Sequence, residues 1–537
     1  MSSAQGKEFF SESNIPIERL YTPEHISKID YTRDIGLPGE PPFTRGVYPG
    51  MYRDKLWTIR RYSGFNTPEE TNQLFRREYE IGQTGFSIAV DGATNSGIDS
   101  DDPRVVSQIG DVGVPIDSLL DMEIIFDGLP IDKVATSITS SAISDGVITA
   151  MYLAVAEQRG IDWKKLRGAT ASDITSCPGS VWFLDQMSPR VEMGLAVDLT
   201  EWCTEVAPLW DPVYFDSYNY RENGIDAVQE LGLLLATAIA YIEEEKRRGR
   251  VPLDKFTAQF GFNMSAHNDL FEEVAKFRAA RRMWYKIARE RYGIENPACW
   301  KLRFHVQSAG CTHTTQEPFN NLIRIAYQVL AAVLGGAQSI HANGFDEGVC
   351  LPTDLSMLLS IRNEQILQHE TNVINTVDPL GGSYYVEWLT SEMERRAWEY
   401  IEKIESMGDI AAAIESGWLQ REYTKAMIER EGKINSGEIS VIGVNKFRLE
   451  EEPHDIPIFR PDPPRSAKIQ LARLEKIKNE RDNARVGSIL EELKKVTLNG
   501  DNVMPTVMEA VKAYATLGEI VDVWRGVHGL WRYPLSA

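Results

Sequence analysis

Two polar clusters of the sequence come directly after apolar runs and contain the side chains most able to do chemistry. R-F-H-V-Q-S (303–308) places His305 and Gln307 two residues apart, on one face of a strand. S-I-H-A-N-G-F-D-E-G (339–348) brings a histidine, an asparagine and two acids into one strand-to-loop transition. Such groups can orient a ligand and move protons. One such group alone is usually a satisfied buried polar group, but two clusters together favour a ligand site.

A metal site built from these clusters would group His305, His341, Asp346 and Glu347. Neither H-x-x-x-H nor H-x-H occurs in the sequence, so we expect no metal ligands in this chain. Cys311 and Cys350 lack the sequence context of a nucleophile. A cysteine nucleophile is therefore not expected either.

The segment M-Y-R-D-K-L-W-T-I-R-R-Y (51–62) has the densest basic and aromatic content of the chain. Cationic side chains bind phosphates, and aromatic rings stack on a base or close a pocket. The same composition equally fits an amphipathic edge segment with solvated charges. The residues concerned are Arg53, Lys55, Arg60 and Arg61 among the cations, and Tyr52, Trp57 and Tyr62 among the rings.

A further polar stretch, S-Y-N-Y-R-E-N-G (217–224), follows the apolar run V-Y-F at 213–215. Seven of its eight residues carry side chains that can form hydrogen bonds. By composition it is either a surface loop or the polar rim of a site at a strand end.

The elements that must position these groups alternate between strand and helix from about residue 84. Apolar runs such as 85–90, 133–139, 211–215, 256–262 and 301–307 predict buried strands, and helical periods separate them. Over roughly 300 residues this alternation favours a (β/α)8 barrel over an open doubly wound sheet. No G-x-G-x-x-G follows the first strand, which removes the main argument for dinucleotide binding.

The fold prediction is therefore an α/β protein in three parts. Residues 1–60 are turn-rich and form an extended N-terminal arm, and 61–390 form the barrel. Residues 391–537 form a helical C-terminal region interrupted by a Pro-rich connector (451–465), whose prolines argue against a regular helix there. The stretch 502–521 predicts a final helical stretch that closes the chain.

Composition restricts the partners. The net charge is 57 − 78 = −21, which argues against nucleic acid or an anionic membrane surface as a general partner. No apolar run is long enough to span a bilayer, and the N-terminus lacks the apolar core of a signal peptide. Five cysteines without a C-x-x-C pair indicate a reduced cytoplasmic protein without structural zinc.

Many collinear segments resemble the barrel-bearing part of adenosylcobalamin-dependent acyl-CoA mutases, the methylmalonyl-CoA mutase family, from about residue 34 to near the C-terminus. The matching segments are F-T-R-G-V-Y-P-G-M-Y, W-T-I-R-R-Y-S-G-F, E-T-N-Q-L-F-R, G-Q-T-G-F-S, D-S-D-D-P-R-V, G-D-V-G-V-P-I-D-S-L-L-D-M, L-F-E-E-V-A-K-F-R-A-A-R, L-P-T-D, D-P-L-G-G-S-Y-Y-V-E and I-G-V-N-K-F.

The resemblance implies a barrel with the CoA pantetheine threaded along its axis and adenosylcobalamin as the cofactor. In the family, Co–C homolysis supplies a radical that takes a hydrogen from the substrate, a group migrates to the adjacent carbon, and the hydrogen is returned. The family's cobalamin module carries D-x-H-x-x-G, and none of the eight histidines here has Asp two before and Gly three after. We therefore expect a separate cobalamin-binding small subunit with D-x-H-x-x-G, and a GTPase-type chaperone as a further partner.

The resemblance also assigns roles to single positions. Tyr62 matches the tyrosine that wedges against the adenosyl group. His305 and Gln307 match a pair near the adenosyl ribose and the thioester, and Glu347 matches an acid that contacts the ribose. The positions that match the CoA channel are Met51, Thr58, Arg60 and Ser87, with Lys55 in place of an arginine.

Tyr218 and Asn219 fall on the Tyr-His pair of the family's S-G-Y-H-x-x-E-A-G, beside the thioester carbonyl. An asparagine amide can donate a hydrogen bond there, but it cannot supply a proton as histidine can. We therefore expect Asn219 to orient the thioester or a polar group of the substrate without acid catalysis.

Other departures from the family concern the acyl pocket. Ala171 replaces a glutamine that contacts the thioester, and Val181 or Trp182 (a one-residue indel blurs which) occupies the position of the arginine that binds the carboxylate of methylmalonyl-CoA. Without that arginine a carboxylate would be buried unpaired, which disfavours methylmalonyl-CoA. Tyr62 stands where the 2-hydroxyisobutyryl type carries isoleucine, which counts against that substrate.

The sequence therefore predicts the large subunit of a heteromeric mutase acting on a neutral, branched or bulky acyl-CoA. Two alternatives remain open: a barrel that has lost its chemistry and serves as a CoA-binding assembly partner, and a metal-dependent barrel hydrolase. An isobutyryl-, 2-hydroxyisobutyryl- or methylmalonyl-CoA mutase proper is a further alternative within the family.

Overall fold

A computed structural model of the chain describes residues 8–175, 184–450, 455–532 and 534. The strands are β1 (Phe9–Phe10), β2 (Pro16–Ile17), β3 (Thr58–Ile59), β4 (Tyr62–Ser63), β5 (Gly85–Ala89), β6 (Ala135–Thr139), β7 (Gly168–Thr170), β8 (Trp210–Asp211), β9 (Val213–Asp216), β10 (Phe260–Ala266), β11 (Phe304–Ser308) and β12 (Ser339–His341).

The strands from β3 onward form two parallel sheets arranged as a ring. One sheet has the order β3-β12-β11-β10-β9 and the other β4-β5-β6-β7-β8, with parallel pairing throughout. β3 and β4 belong to one extended stretch (58–63), and β8 and β9 to another (210–216), so each stretch joins the two sheets. The described residues thus contain eight parallel segments in a ring, and the predicted (β/α)8 barrel is confirmed.

Helices surround this ring and continue beyond it. They are α1 (Pro68–Glu80), α2 (Gly92–Asn95), α3 (Leu119–Phe126), α4 (Ala142–Gln158), α5 (Pro189–Val206), α6 (Tyr218–Glu222), α7 (Ala227–Arg248), α8 (Leu253–Phe256), α9 (Leu270–Tyr285), α10 (Asn320–Gly335), α11 (Asp354–His369), α12 (Tyr384–Glu405), α13 (Ile410–Glu415), α14 (Trp418–Ser436), α15 (Pro463–Glu480), α16 (Asn483–Asn499), α17 (Met504–Lys512) and α18 (Leu517–His528).

The hydrophobic core lies between the strands and these helices, not on the barrel axis. Outward-facing residues of the strands, such as Ile138, Phe215 and Val306, are fully buried. One large cluster covers β9–β12 and includes residues of α7, α9 and α12–α14. A second covers β5–β8 and includes residues of α3–α5 and α16–α18.

The N-terminal arm wraps the barrel through backbone contacts. Its antiparallel β1–β2 pair is followed by short helical turns, and Arg281 of α9 holds the arm further along by donating hydrogen bonds to Phe43 O (2.8 Å) and Thr44 O (2.7 Å). Arg281 also donates to Gly335 O at 2.5 Å, at the end of α10. The buried guanidinium therefore fixes the arm to two barrel helices.

The C-terminal region is helical, as predicted. The stretch 502–521 is covered by two helices, because the chain breaks at Tyr514 (φ +61°) and Thr516 starts α18 with a capping box. The prediction of no regular helix in the Pro-rich connector was wrong. α15 begins inside the Pro-rich connector at Pro463, where the missing N–H of proline is not needed in the first turn of a helix. α12 runs through residue 390, and the division into three parts stays a prediction.

In the described ranges, no helix combines the length and hydrophobicity that crossing a membrane requires.

A buried ion cluster fixes α6 behind the carboxyl ends of the strands. Lys276 Nζ is 2.6 Å from Glu230 Oε2 and 2.5 Å from Glu273 Oε2, and all three side chains are at most 1% exposed. Arg221 of α6 lies 3.1 Å from Glu273 Oε1. Glu230 also accepts hydrogen bonds from Ser217 Oγ, one residue before α6 begins. These contacts join α6, α7 and α9.

We expect Lys276→Met to destabilise the protein by about 3–5 kcal/mol, because it removes the buried cation that Glu230 and Glu273 share and leaves both carboxylates with Arg221 alone. The midpoint of urea unfolding measures this change. The control is Lys246→Met, which removes a half-exposed ion pair with Glu243 and should cost at most about 1 kcal/mol. Equal midpoints for both variants would show that the buried cluster does not hold these helices.

Candidate active site

A cavity of about 700 Å³ runs along the barrel axis. Its wall includes Arg167 and Arg303 before the strands begin, and Thr139 and Gln307 at their carboxyl ends. The interior of an eight-stranded barrel is normally filled by layers of side chains. An axial cavity of this size leaves room for an elongated ligand.

Short side chains keep one half of the barrel interior empty. Ser87, Ser137 and Ala169 lie side by side across β5, β6 and β7, and all three line the cavity. None of them reaches the barrel axis, so the wall on this side is thin and the axial volume stays unfilled.

The opposite half of the wall is polar and internally hydrogen-bonded. Asp216, Asn263, His305 and Ser339 are neighbours in register across β9 to β12, and all line the cavity. Asn263 Nδ2 donates to Asp216 Oδ1 at 2.8 Å, and His305 Nδ1 lies 2.5 Å from Ser339 Oγ. These bonds fix the orientation of the side chains that face a ligand.

His305 is held as a neutral imidazole. Burial and the neighbouring Arg60 guanidinium lower its pKa to about 3. Together with Gln307 it faces the cavity, while Val306 and Ser308 face the surrounding helices. The two side chains therefore offer uncharged hydrogen-bonding groups at neutral pH.

Tyr62 enters the cavity from β4. Its backbone N–H donates to His341 Nδ1 at 3.1 Å, which places the proton of that imidazole on Nε2. Burial raises the pKa of the Tyr62 hydroxyl, and the nearby Asp216 adds to the shift. The phenol therefore stays protonated and can donate a hydrogen bond.

The stretch 217–224 is a strand-end wall and not a surface loop. Tyr218 and Asn219 begin α6, directly after β9, and both line the cavity. Tyr218 N donates to Asp216 Oδ1 (3.0 Å), and Tyr218 OH accepts from Gly310 N (3.2 Å). These contacts hold α6 against the loop after β11.

Two acids face this carboxyl-terminal end of the cavity. Burial raises the pKa of Asp216 to about 7, and the nearby Asp173 carboxylate adds to the shift. Desolvation by the surrounding protein raises the pKa of Glu347 to about 7 as well, and the nearby Glu222 carboxylate adds to the shift. Both carboxyl groups can therefore be protonated near neutral pH and donate hydrogen bonds.

The amino-terminal end of the cavity is basic. Lys55, Arg60, Arg167 and Arg303 line it, and Arg303 is paired with Asp211 at 3.1 Å. In the described part of the chain, the buried Arg60 Nε has no hydrogen-bond acceptor. A cavity end that has more cationic side chains than carboxylates to pair with them suits an anionic ligand.

Most of the residues that the sequence singled out lie around this one cavity. Ala171 instead lies past the end of β7, buried and bridged to Val213, and is not among the lining residues. Val181 and Trp182 lie outside the described residues. The lining residues are Met51, Lys55, Thr58, Arg60, Tyr62, Ser87, Tyr218, Asn219, His305, Gln307 and Glu347.

Two basic residues of segment 51–62 do not line the cavity. Arg61 is buried on the outer side of the barrel, where its Nε lies 3.9 Å from Glu78 Oε1. Arg53 is exposed. Alternation along the strand puts Arg60 and Arg61 on opposite faces, so only one of the pair can face a ligand.

The metal grouping of His305, His341, Asp346 and Glu347 is not assembled. Asp346 accepts hydrogen bonds from Thr353 N (2.9 Å) and Ser356 Oγ (2.6 Å), which directs it to the start of α11. His341 Nδ1 is engaged by the backbone of Tyr62. His305, His341 and Asp346 therefore have separate structural partners.

Sequence reasoning missed Asp216, Tyr214 and Asn263, which also line the cavity. Asp216 follows the apolar run V-Y-F directly, so the rule that chemistry lies at strand ends would have found it. Asn263 lies in the middle of β10, beyond the end of the predicted run 256–262, and Tyr214 lies inside the run 211–215, which predicts only a buried strand. Both side chains belong to the site because they point toward the barrel interior, and the sequence pattern does not show this orientation.

Comparison with known proteins gives a consistent assignment. The family model described as methylmalonyl-CoA mutase matches residues 10–530. The large subunit of 2-hydroxyisobutanoyl-CoA mutase from Aquincola tertiaricarbonis is 38% identical over 98% of this chain and 93% of the relative. Methylmalonyl-CoA mutases from Rhizobium meliloti (strain 1021) and Escherichia coli (strain K12) are both 36% identical, over 98% and 95% of this chain and 73% and 70% of their own lengths.

We expect Asp216→Asn to change how stability depends on pH. A carboxyl group whose pKa is about 7 when folded but about 4 when unfolded binds a proton only in the folded state between these values, so its contribution falls as pH rises. The variant should therefore gain roughly 2–3 kcal/mol relative to the native protein between pH 5 and 7. Urea unfolding at both pH values measures the difference.

The control is Asp501→Asn, at an exposed turn, whose stability should change with pH as that of the native protein does. Parallel pH curves for Asp216→Asn and the native protein would mean that Asp216 is ionised throughout.

Proposed function

The chain belongs to the methylmalonyl-CoA mutase family and is an acyl-CoA mutase, an intramolecular transferase, and on that premise we propose a specific role. It is the large subunit of a heteromeric, adenosylcobalamin-dependent mutase that rearranges the carbon skeleton of a neutral, branched or bulky acyl-CoA. The axial cavity, basic at one end and hydrogen-bonding at the other, is the observation that carries the proposal.

The two ends of the cavity match the two ends of an acyl-CoA. Cations at the amino-terminal end, with Arg60 Nε lacking an acceptor among the described residues, suit the phosphates of CoA. Uncharged donors and acceptors at the other end, from Asn219, His305 and Gln307, suit a thioester. Between the two ends, the short side chains of Ser87, Ser137 and Ala169 leave room for the pantetheine arm.

The residues at the carboxyl-terminal end also fit the adenosyl part of the cofactor. Glu347 is exposed at this end and can accept hydrogen bonds from ribose hydroxyls, and Tyr62 presents a ring to the same cavity. When bound, adenosylcobalamin supplies the radical that starts the rearrangement. The protein's own residues orient the thioester, hold neutral hydrogen-bonding groups and exclude water.

A neutral acyl group is supported by where the charges lie. The arginines and lysine that line the described cavity lie toward its amino-terminal end, whereas Asp216 and Glu347 lie at the other end. A substrate carboxylate at the thioester end would meet acids and no strong cation from the described residues, which is costly in a buried site.

A second candidate is a 2-hydroxyacyl-CoA. The similarity to the 2-hydroxyisobutanoyl-CoA mutase large subunit favours it, and the Asp216–Asn263 pair could bind a hydroxyl group. Tyr62, in place of the isoleucine of that type, argues against it. Both substrates therefore belong in the same assay.

The cofactor and partner proposals follow from the same premise. Adenosylcobalamin is held mainly by a separate small subunit with D-x-H-x-x-G; the similarity to a relative described as a large subunit supports this proposal. A GTPase-type chaperone loads or protects the cofactor, and the complex functions in the cytoplasm.

The test is to combine this chain with its small subunit, adenosylcobalamin and a panel of neutral, hydroxylated and carboxylated acyl-CoAs. Stopped-flow absorbance follows Co–C homolysis, and electron paramagnetic resonance detects substrate-dependent radicals. We expect homolysis with a neutral branched acyl-CoA. Homolysis with methylmalonyl-CoA alone contradicts the substrate class, and no radical with any substrate favours a CoA-binding barrel without mutase chemistry.

We expect Asn219→His to change the substrate preference, because histidine adds a proton donor beside the thioester that the amide lacks. The ratio of kcat/KM values for two acyl-CoAs should shift by about tenfold or more. The control is Asn375→His, at an exposed position away from the cavity. An unchanged rate and an unchanged preference in Asn219→His would refute the role of Asn219.

A further inference from the structure

Three side chains from neighbouring strand ends meet beside the carboxyl-terminal end of the cavity. Glu222 ends α6 after β9, His267 follows β10, and Cys311 lies in the turn after β11 (Gly310–Thr312). One ligand atom from each, a carboxylate oxygen, an imidazole nitrogen and the thiol sulfur, lie within 4.8 Å of one another. Cys311 Sγ and His267 Nε2 are 3.9 Å apart.

The N-terminal arm orients the histidine of this cluster. Glu12 Oε1 lies 3.3 Å from His267 Nδ1, on the side of the ring opposite to Cys311. A carboxylate beside one ring nitrogen favours the proton there, which leaves the lone pair of Nε2 directed at the sulfur. Metal-binding histidines typically have a carboxylate behind the ring; here Glu12 lies at ion-pair distance and the contact does not meet hydrogen-bond geometry.

The glutamate of the cluster has one oxygen without a donor. Glu222 Oε2 accepts a hydrogen bond from Cys311 N at 2.7 Å. Glu222 Oε1 is buried and has no hydrogen-bond partner among the described residues. A buried carboxylate oxygen is normally satisfied by a donor, a water or an ion.

Two cations near the cluster, Arg221 and Lys276, already pair with other carboxylates. Arg221 is fully buried and lies 3.4 Å from Glu12 and 3.1 Å from Glu273. The second nearby cation, Lys276, is shared between Glu230 and Glu273. Neither cation hydrogen-bonds Glu222. Arg430 of α14 attracts the carboxylate electrostatically but donates no hydrogen bond to its Oε1.

We propose that Glu222, His267 and Cys311 bind a divalent cation of the zinc type. A thiolate, an imidazole and a carboxylate form a ligand set that zinc prefers, with a fourth position left for water. Tetrahedral zinc places its nitrogen and sulfur ligands about 3.6 Å apart, close to the separation of Nε2 and Sγ. A small closing movement of the Glu222 side chain completes the three-ligand set.

The ion would position the wall of the cavity. Glu222 is on the same short helix as Tyr218 and Asn219, and Tyr218 OH accepts a hydrogen bond from Gly310 N beside Cys311. A shared ion would therefore tie α6 to the loops after β10 and β11, and through Glu12 to the N-terminal arm. This inference does not depend on the proposed substrate or cofactor.

The sequence alone does not reveal the site. The three ligands come from separate loops and have no short motif, so a search for close histidine or cysteine spacing leads to the expectation of no metal ligands. Only the parallel order of β9, β10 and β11 brings them together. The proposal therefore replaces that expectation.

The test uses the full-length chain, dialysed against chelator and then against zinc or cobalt chloride. Metal content is measured by inductively coupled plasma mass spectrometry, and cobalt binding by absorbance. We expect about one tightly held ion per chain and a near-ultraviolet band from thiolate-to-cobalt charge transfer. Cys311→Ser and His267→Gln should lose the ion, and Glu12→Gln should weaken binding by about 10–100-fold.

The matched control is Cys350→Ser, which removes a cysteine whose sulfur lies near Pro457 O, away from the cluster, and it should bind metal as the native protein does. Circular dichroism shows whether each variant is folded. A native chain that binds no zinc or cobalt overturns the proposal without reference to any variant. So does metal binding that is unchanged in folded Cys311→Ser and His267→Gln, or a cobalt complex without the thiolate band. In those cases Cys311 is only a thiol donating to Arg221 O, 3.7 Å away.

Discussion

The empty axis of the barrel is the constraint on which the rest of the structure depends. A barrel usually gains much of its stability from interlocking side chains inside the ring. Here Ser87, Ser137 and Ala169 leave that space to a ligand. Hydrophobic burial must then come from the outer face of the strands, where Ile138 and Phe215 pack under the helices, and the additional C-terminal helices enlarge this outer core.

An interior that is not filled by apolar side chains must satisfy its polar ones. The wall does so across strands, through Asn263 with Asp216 and His305 with Ser339. Behind the wall, the Lys276 ion cluster anchors the helix that carries Tyr218 and Asn219. Cavity residues are therefore held by neighbouring strands and buried helices, which gives them defined orientations before a ligand binds.

The ligand that the barrel can bind depends on where the charges lie along the cavity and not on the net charge of the chain. The chain is strongly acidic overall, yet its barrel has a basic amino-terminal end and an acidic carboxyl-terminal end. An anionic ligand such as CoA would therefore be oriented along the axis by local charges. At the acidic end, burial raises the pKa of Asp216 to about 7, and desolvation by the surrounding protein raises that of the more exposed Glu347 to about 7 as well.

The sequence by itself determined the barrel, because alternating apolar runs and helical periods are local patterns. It also determined that His305 and Gln307 share a face, since the period of a strand is two. Motif resemblance indicated the family, because motifs are linear. Tertiary structure alone decided that Arg60 faces the cavity while Arg61 faces Glu78, that Asp216 and Asn263 belong to the wall, and that Glu222, His267 and Cys311 meet. These outcomes depend on strand register and on contacts between segments distant in sequence, which no local pattern encodes.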